Sequence, residues 1–314
     1  MSDHHAPVFS LRPTKAARHE FRPDRHHPPI VTPFTADGEV DEKAFRGVCR
    51  FMVQKKVHGI CVGGSSGEGH TYSPDEFKRL MEIACEEVAG AIPVVAGIIV
   101  NSTRDAIARV RSIAHLPVAG LQVTPVHYVF KPDEDATYKH FKALCDATKF
   151  PVIIYNVVPW NYLSPKLLLR IMRDMSGVIG VKQSAGDLKL MADLLLDLPA
   201  GKKVYSAVDA LLYPSFVLGC HGTIAANPAA VPGVCVNLWN AVQAGDHAKA
   251  KQIHEALLRF WNTIAFDNLP ANIKFSLSLQ GCETGLPRMP MPATSDEQAA
   301  HIRREIVNVL RFDN

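Results

Sequence analysis

The stretch that decides the fold runs from Pro151 to Lys182: PVIIYN (151–156), VVPWNYL (157–163), SPKLLLRIMRDMSG (164–177) and VIGVK (178–182). Two continuous apolar runs bracket an amphipathic segment. Ser164 followed by Pro165 is the pairing expected at a helix start, an N-cap hydroxyl and then a residue pre-set for the first turn. Strands without apolar–polar alternation are buried on both faces, as in parallel sheets, and parallel neighbours need a crossover helix between them. The stretch reads as strand, helix, strand.

Outward from it the same unit recurs. Pro29–Phe34 precedes a helix over Asp41–Val53, and Gly59–Val62 precedes one opened by Ser73-Pro74-Asp75-Glu76, a capping box. Pro93–Ile99 is followed by a helix over Asn101–Ala114, capped near Ser102 or Thr103. Val118–Thr124 is followed by one from Asp133 to Ala147, and Lys203–Ser206 and Gly222–Ala226 complete the set. Eight strand–helix units over about 220 residues fit an α/β chain closed into a (β/α)8 TIM barrel, with an open doubly wound sheet as the other pattern. Beyond residue 246 only helical periodicity remains, at 247–265, 268–279 and 295–311. The expected division is an N-terminal arm (1–27), loosely ordered; a barrel (28–246); and C-terminal helices (247–314) packed on it.

Bulk properties exclude more than they assign. The 314 residues carry a formal charge of +3, with no basic stripe, so nucleic acid is not an expected partner. Seven cysteines, an odd number without a C-x-x-C pair, indicate neither a disulfide framework nor a zinc site, and suit a reducing cytoplasm. No apolar run of about 18 residues exists, so no membrane helix is expected. The arm lacks the apolar core of a secretory signal. Its histidines at 4, 5, 19, 26 and 27 suit adventitious metal contact at most.

In such a barrel the chemistry sits where strands end at their C-terminal side. Lys182 closes an apolar run with no carboxylate beside it in sequence. Desolvation disfavours the charged form of an amine, and a neutral amine can attack a ketone to form an imine. A lysine there can equally snorkel to solvent. Tyr155 ends PVIIYN, where a hydroxyl can pass protons or simply belong to the core. The loop Val62-Gly63-Gly64-Ser65-Ser66-Gly67-Glu68-Gly69-His70 offers backbone N–H groups and two hydroxyls to a carboxylate or phosphate, without the order of a Walker or dinucleotide loop. Glu68 reads as a brace for the start of the next helix rather than a base.

GGSSGEG, YNVVP and VIGVKQSAGD, together with VTPFTADGEVD and VTPVHYVFKPDEDATYKHF, resemble in order the motifs of the dihydrodipicolinate synthase and N-acetylneuraminate lyase superfamily. The likeness covers roughly residues 28–292. It implies a class I aldolase mechanism in which Lys182 forms a Schiff base with pyruvate or another 2-oxo acid. Gly64, Ser65 and Ser66 would hold the acid's carboxylate, Tyr155 would shuttle protons with Ser66 in the catalytic group, and Ile224 would lend its backbone carbonyl. The same likeness implies no metal or organic cofactor, no membrane partner, and a homotetramer built as a dimer of dimers.

The departures bear on the second substrate. Synthases of the superfamily carry an arginine after the Y-N-x-P strand, whereas this chain has Val158-Pro159-Trp160-Asn161-Tyr162. The turn that carries two tyrosines there reads Val126-His127-Tyr128 here. Trp160, Asn161, Tyr162, His127 and Tyr128 are therefore candidates for contacting a bulkier or less anionic aldehyde. A dehydratase or deaminase on a 2-oxo-3-deoxy acid, using the same imine, and a barrel that only binds a carboxylate are the competing readings.

Overall fold

A computed structural model describes residues 26–313. Six parallel strands, β1 (Ile60–Val62), β2 (Val94–Ile98), β3 (Gly120–Val123), β4 (Val152–Asn156), β5 (Val178–Gln183) and β6 (Lys203–Ser206), pair in sequence order. Helices α1 (Glu42–Gln54), α2 (Pro74–Val88), α3 (Thr103–Ser112), α4 (Glu134–Ala147), α5 (Pro165–Asp174), α6 (Leu188–Leu196), α7 (Leu212–Val217), α8 (Asn227–Ala230) and α9 (Pro232–Gln243) alternate with or follow them. Three more, α10 (His247–Ile264), α11 (Leu269–Ser278) and α12 (Asp296–Val309), form the C-terminal extension. Among the described residues no helix is long and apolar enough to cross a membrane.

The two edges of the six-stranded sheet do not face solvent. On one side Ile30 N–H donates to the Cys61 carbonyl and Cys61 N–H to that of Pro28; on the other Ser206 N–H donates to Gly222 and Ile224 N–H to Ser206. His27 N–H then donates to the Thr223 carbonyl at 3.0 Å, joining the added segments to each other. The parallel sheet is thus curled into a closed α/β barrel. The expected first and eighth strands are corrected to one parallel bridge each with the sheet, Pro29 with Cys61 and Thr223 with Ser206. Pro28, Pro29 and Pro33 lack the N–H groups that a longer ladder needs, and the backbone at Ala226 is already helical.

The boundary of the arm also moves. His26 and His27, assigned to a loosely ordered segment, are 1% and 0% exposed. The His26 ring stacks on Phe216 and meets Trp239 edge-on, so both histidines belong to the barrel; the rest of the arm lies outside the described residues.

Local chemistry explains why the elements start where they do. Ser73 and Glu76 form the reciprocal capping box, Ser102 rather than Thr103 caps α3, and the Asp133 and Ser164 side chains accept N–H groups of α4 and α5. Cys61, Val95, Ile153, Tyr205 and Ile224 fill the barrel interior, and a larger core lies between strands and helices. Each fully buried aliphatic or aromatic side chain there contributes about 1.5–3 kcal/mol. All seven cysteines are unpaired, and burial pushes the Cys61 thiol up to about 12. In the extension α10 packs on α9 and α12, while α11 leans on α8 and on the turn Ser65–Gly67.

Candidate active site

The glycine-rich loop after β1 is compact because its backbone crosses itself. Gly63 adopts φ +77°, and a Cβ on Gly69 would stand 2.0 Å from the Gly63 carbonyl oxygen, so neither position accepts a side chain without rebuilding the loop. Ser65–Gly67 form one 3-10 turn, with the Tyr72 hydroxyl donating to the Gly67 carbonyl at 2.7 Å and Thr32 meeting the same hydroxyl. Glu68 follows in the left-handed region (φ +58°) with its carboxylate turned inward. It receives Lys274 Nζ of α11 at 2.7 Å and the N–H of Arg288 at 2.9 Å, with Lys274 and Glu68 only 3% and 1% exposed. The brace therefore runs to the C-terminal extension and not to the next helix, whose start is held by Glu76.

The register of β4 and β5 sets Tyr155 beside Lys182, and strand alternation turns both side chains to the barrel interior. Lys182, 2% exposed, places Nζ 3.5 Å from the centre of the Tyr155 ring. The Tyr155 hydroxyl lies 3.1 Å from Ser65 Oγ. Ser65 Oγ is thus the hydroxyl that meets the tyrosine, while Ser66, buried beside it in the same turn, lines the same cavity. The next pair in the register, Asn156 and Gln183, bond to each other, and Asn156 also grips Leu163 through both its N–H and its carbonyl.

Ser65, Tyr155 and Lys182 line a cavity of about 410 Å³ that also includes Ile224, Ser184 and Asp209. Asp209, three residues beyond β6, accepts the N–H groups of Ala226 at 3.1 Å and Asn227 at 2.5 Å. Burial raises its carboxyl from the ordinary 3.8 to about 6, against the pull of those N–H groups and of the Lys182 charge.

This arrangement can be compared with known proteins. The family model described as the dihydrodipicolinate synthetase family matches residues 23–308. A 4-hydroxy-tetrahydrodipicolinate synthase of Bradyrhizobium diazoefficiens is 32% identical over 284 residues, 89% of this chain and 94% of that one. The chain belongs to the dihydrodipicolinate synthetase family. It is a lyase of that family. The solved dihydrodipicolinate synthase of Thermotoga maritima superposes with a TM-score of 0.84 at 26% identity, covering 92% of this chain and 97% of that one. An N-acetylneuraminate lyase from Mycoplasma synoviae, at 22% identity and a TM-score of 0.82 over 93% and 99%, shares the fold.

Within this family member the expected second-substrate residues fall outside the cavity. Trp160 is 59% exposed and donates from Nε1 to the Tyr128 carbonyl at 3.0 Å; buried Asn161 donates to the Val126 carbonyl at 2.8 Å. His127 Nδ1 lies 2.9 Å from the Pro125 carbonyl, and Tyr128 is exposed. Trp160 and Asn161 thus tie the loop after β4 to the loop after β3, while His127 bonds within its own loop. Burial raises the pKa of the Tyr162 phenol, and the nearby Tyr155 phenol raises it further. The wall is supplied instead by Trp261 of α10 and by Leu269 and Pro270 of α11. Asp209 could have been found by applying the strand-end rule to VYSAVDA; nothing in the local sequence singles out Trp261 from other apolar positions of its helix.

Proposed function

We propose that this family member is a Schiff-base-forming lyase acting on pyruvate or another 2-oxo acid. The observation that carries the reading is the buried Lys182 amine set against Tyr155, whose hydroxyl meets that of Ser65. Lys182 attacks C2 of the 2-oxo acid, and loss of water leaves the imine. The acid's carboxylate lies at Gly64, Ser65 and Ser66, where amide N–H groups at the open end of the turn lack intrahelical acceptors. Tyr155 relays protons to and from the carbinolamine, a role worth about 10²–10⁴-fold in rate. The protonated imine then accepts electrons from the adjoining carbon, so a C–C bond beside it forms or breaks. The backbone carbonyl of Ile224 borders the bound acid. No separate cofactor enters this scheme.

The same reading includes a cytoplasmic homotetramer built from dimers; sedimentation velocity of the purified chain measures the assembly. The chemistry is tested by intact mass after sodium borohydride treatment with pyruvate. A reduced adduct on the native chain, absent from Lys182→Ala, is expected. No adduct with pyruvate or with larger 2-oxo acids would sink the imine mechanism.

A further inference from the structure

The cavity above Lys182 is polar at its floor and apolar on its walls. Among the described residues that line it, Lys182 is the only cation and Asp209 the only carboxylate. Both Asp209 oxygens are already engaged by backbone N–H groups. Around them stand Val157, Val208, Leu269, Pro270 and the half-buried ring of Trp261, which is anchored on the core. In the scheme above the charge at Lys182 is discharged when the protonated imine becomes the neutral enamine that meets the aldehyde, and the serine turn holds the carboxylate of the 2-oxo acid. A second carboxylate, on the incoming aldehyde, would then be desolvated with no cation to receive it and with Asp209 nearby. Leaving a charge unpaired in such surroundings is far more costly than a mismatch of shape. An uncharged apolar body instead displaces water from the walls and gains contact with the indole face.

We propose that the aldehyde joined to, or released from, the Lys182-bound 2-oxo acid carries an uncharged apolar body, aromatic or branched aliphatic, seated on Trp261. This rests on the imine reading. In the condensing direction the imine loses a proton from C3 to give an enamine, and C3 bonds to the aldehyde carbon. The electron pair of the C=O bond passes to oxygen, which takes a proton through Tyr155. Water then hydrolyses the imine, returning the lysine amine and releasing a 4-hydroxy-2-oxo acid. Cleavage is the reverse sequence.

The full-length chain is assayed with pyruvate and, in turn, benzaldehyde, isovaleraldehyde and succinic semialdehyde, following product by chromatography. Native protein, Trp261→Ala and Trp261→Phe are compared, each with the borohydride adduct of pyruvate measured alongside. In the native chain kcat/KM for benzaldehyde should exceed that for succinic semialdehyde by about tenfold or more. Trp261→Ala should erase that preference through KM, Trp261→Phe should keep most of it, and the adduct should form in all three. Succinic semialdehyde used equally well or better overturns the proposal. So does a benzaldehyde preference that survives in Trp261→Ala with the adduct intact. Either result leaves the imine reading standing, whereas a native chain that forms no adduct removes both. Should Trp261→Ala lose the adduct by misfolding, the native preference and Trp261→Phe decide.

Discussion

Tyr155 and Asp209 show how one residue's surroundings set what it can do. The Tyr155 ring supports Lys182 while its hydroxyl reaches Ser65, so Tyr155→Phe keeps the packing and removes only the relay. Its kcat should fall about 10²–10⁴-fold, with the borohydride adduct still formed, more slowly; unchanged turnover would show that protons travel another way. Asp209 couples to stability through pH. Its carboxyl titrates near 6 in the folded chain and at an ordinary 3.8 when unfolded. Between those values the folded state holds the extra proton, so stability contributed by this group is present at acid pH and is lost as pH rises toward 6. The interval corresponds to roughly 3 kcal/mol. Asp209→Asn cannot titrate, so its stability relative to the native chain should improve from pH 4 to pH 7 by up to that amount. Urea midpoints across the range measure it, and parallel curves for the two proteins would contradict the assignment.

At the scale of elements, the brace between the serine turn and α11 carries the most. Glu68 and Lys274 are both buried, Lys274 also donates to the Leu286 carbonyl at 2.6 Å, and burial pushes its amine down while Glu68 pulls it back up. Removing one partner strands the other charge. Glu68→Gln should therefore cost about 3–5 kcal/mol and raise KM for the 2-oxo acid, while Glu68→Gln with Lys274→Met should recover part of the stability. A double-mutant cycle in urea tests this, and additive losses would mean the pair is not coupled. This contact also marks the limit of reading the chain by eye. Helix starts at Ser73, Asp133 and Ser164 were legible because a cap involves residues three apart. Lys182 and Tyr155 were legible because they end apolar runs. The partner of Glu68 and the wall at Trp261 depend on packing between segments some 200 residues apart, and no local pattern records that. The first and eighth strands were overread for a related cause: their apolar character is that of a strand, but prolines and an early helix start leave one parallel bridge each to the sheet.

The whole molecule is closed at its floor by the His27–Thr223 bond, and the room there is small. A Cβ on Gly59 would lie 2.1 Å from His27 Nδ1 and 3.0 Å from Pro93 Cγ. Gly59→Ala should destabilise the chain by about 1–3 kcal/mol, read as a lowered melting temperature with the pyruvate adduct retained below it; an unaltered melt would mean the His27 ring moves freely. The Glu68–Lys274 pair, finally, bears on how the protein is made. The two residues are 206 positions apart. At roughly 5–20 residues per second of synthesis, about 10–40 s separate their emergence from the ribosome. During that interval Glu68 has no cation to be buried against. The nascent barrel therefore holds its serine turn unlatched, and the latch closes only once α11 has been made.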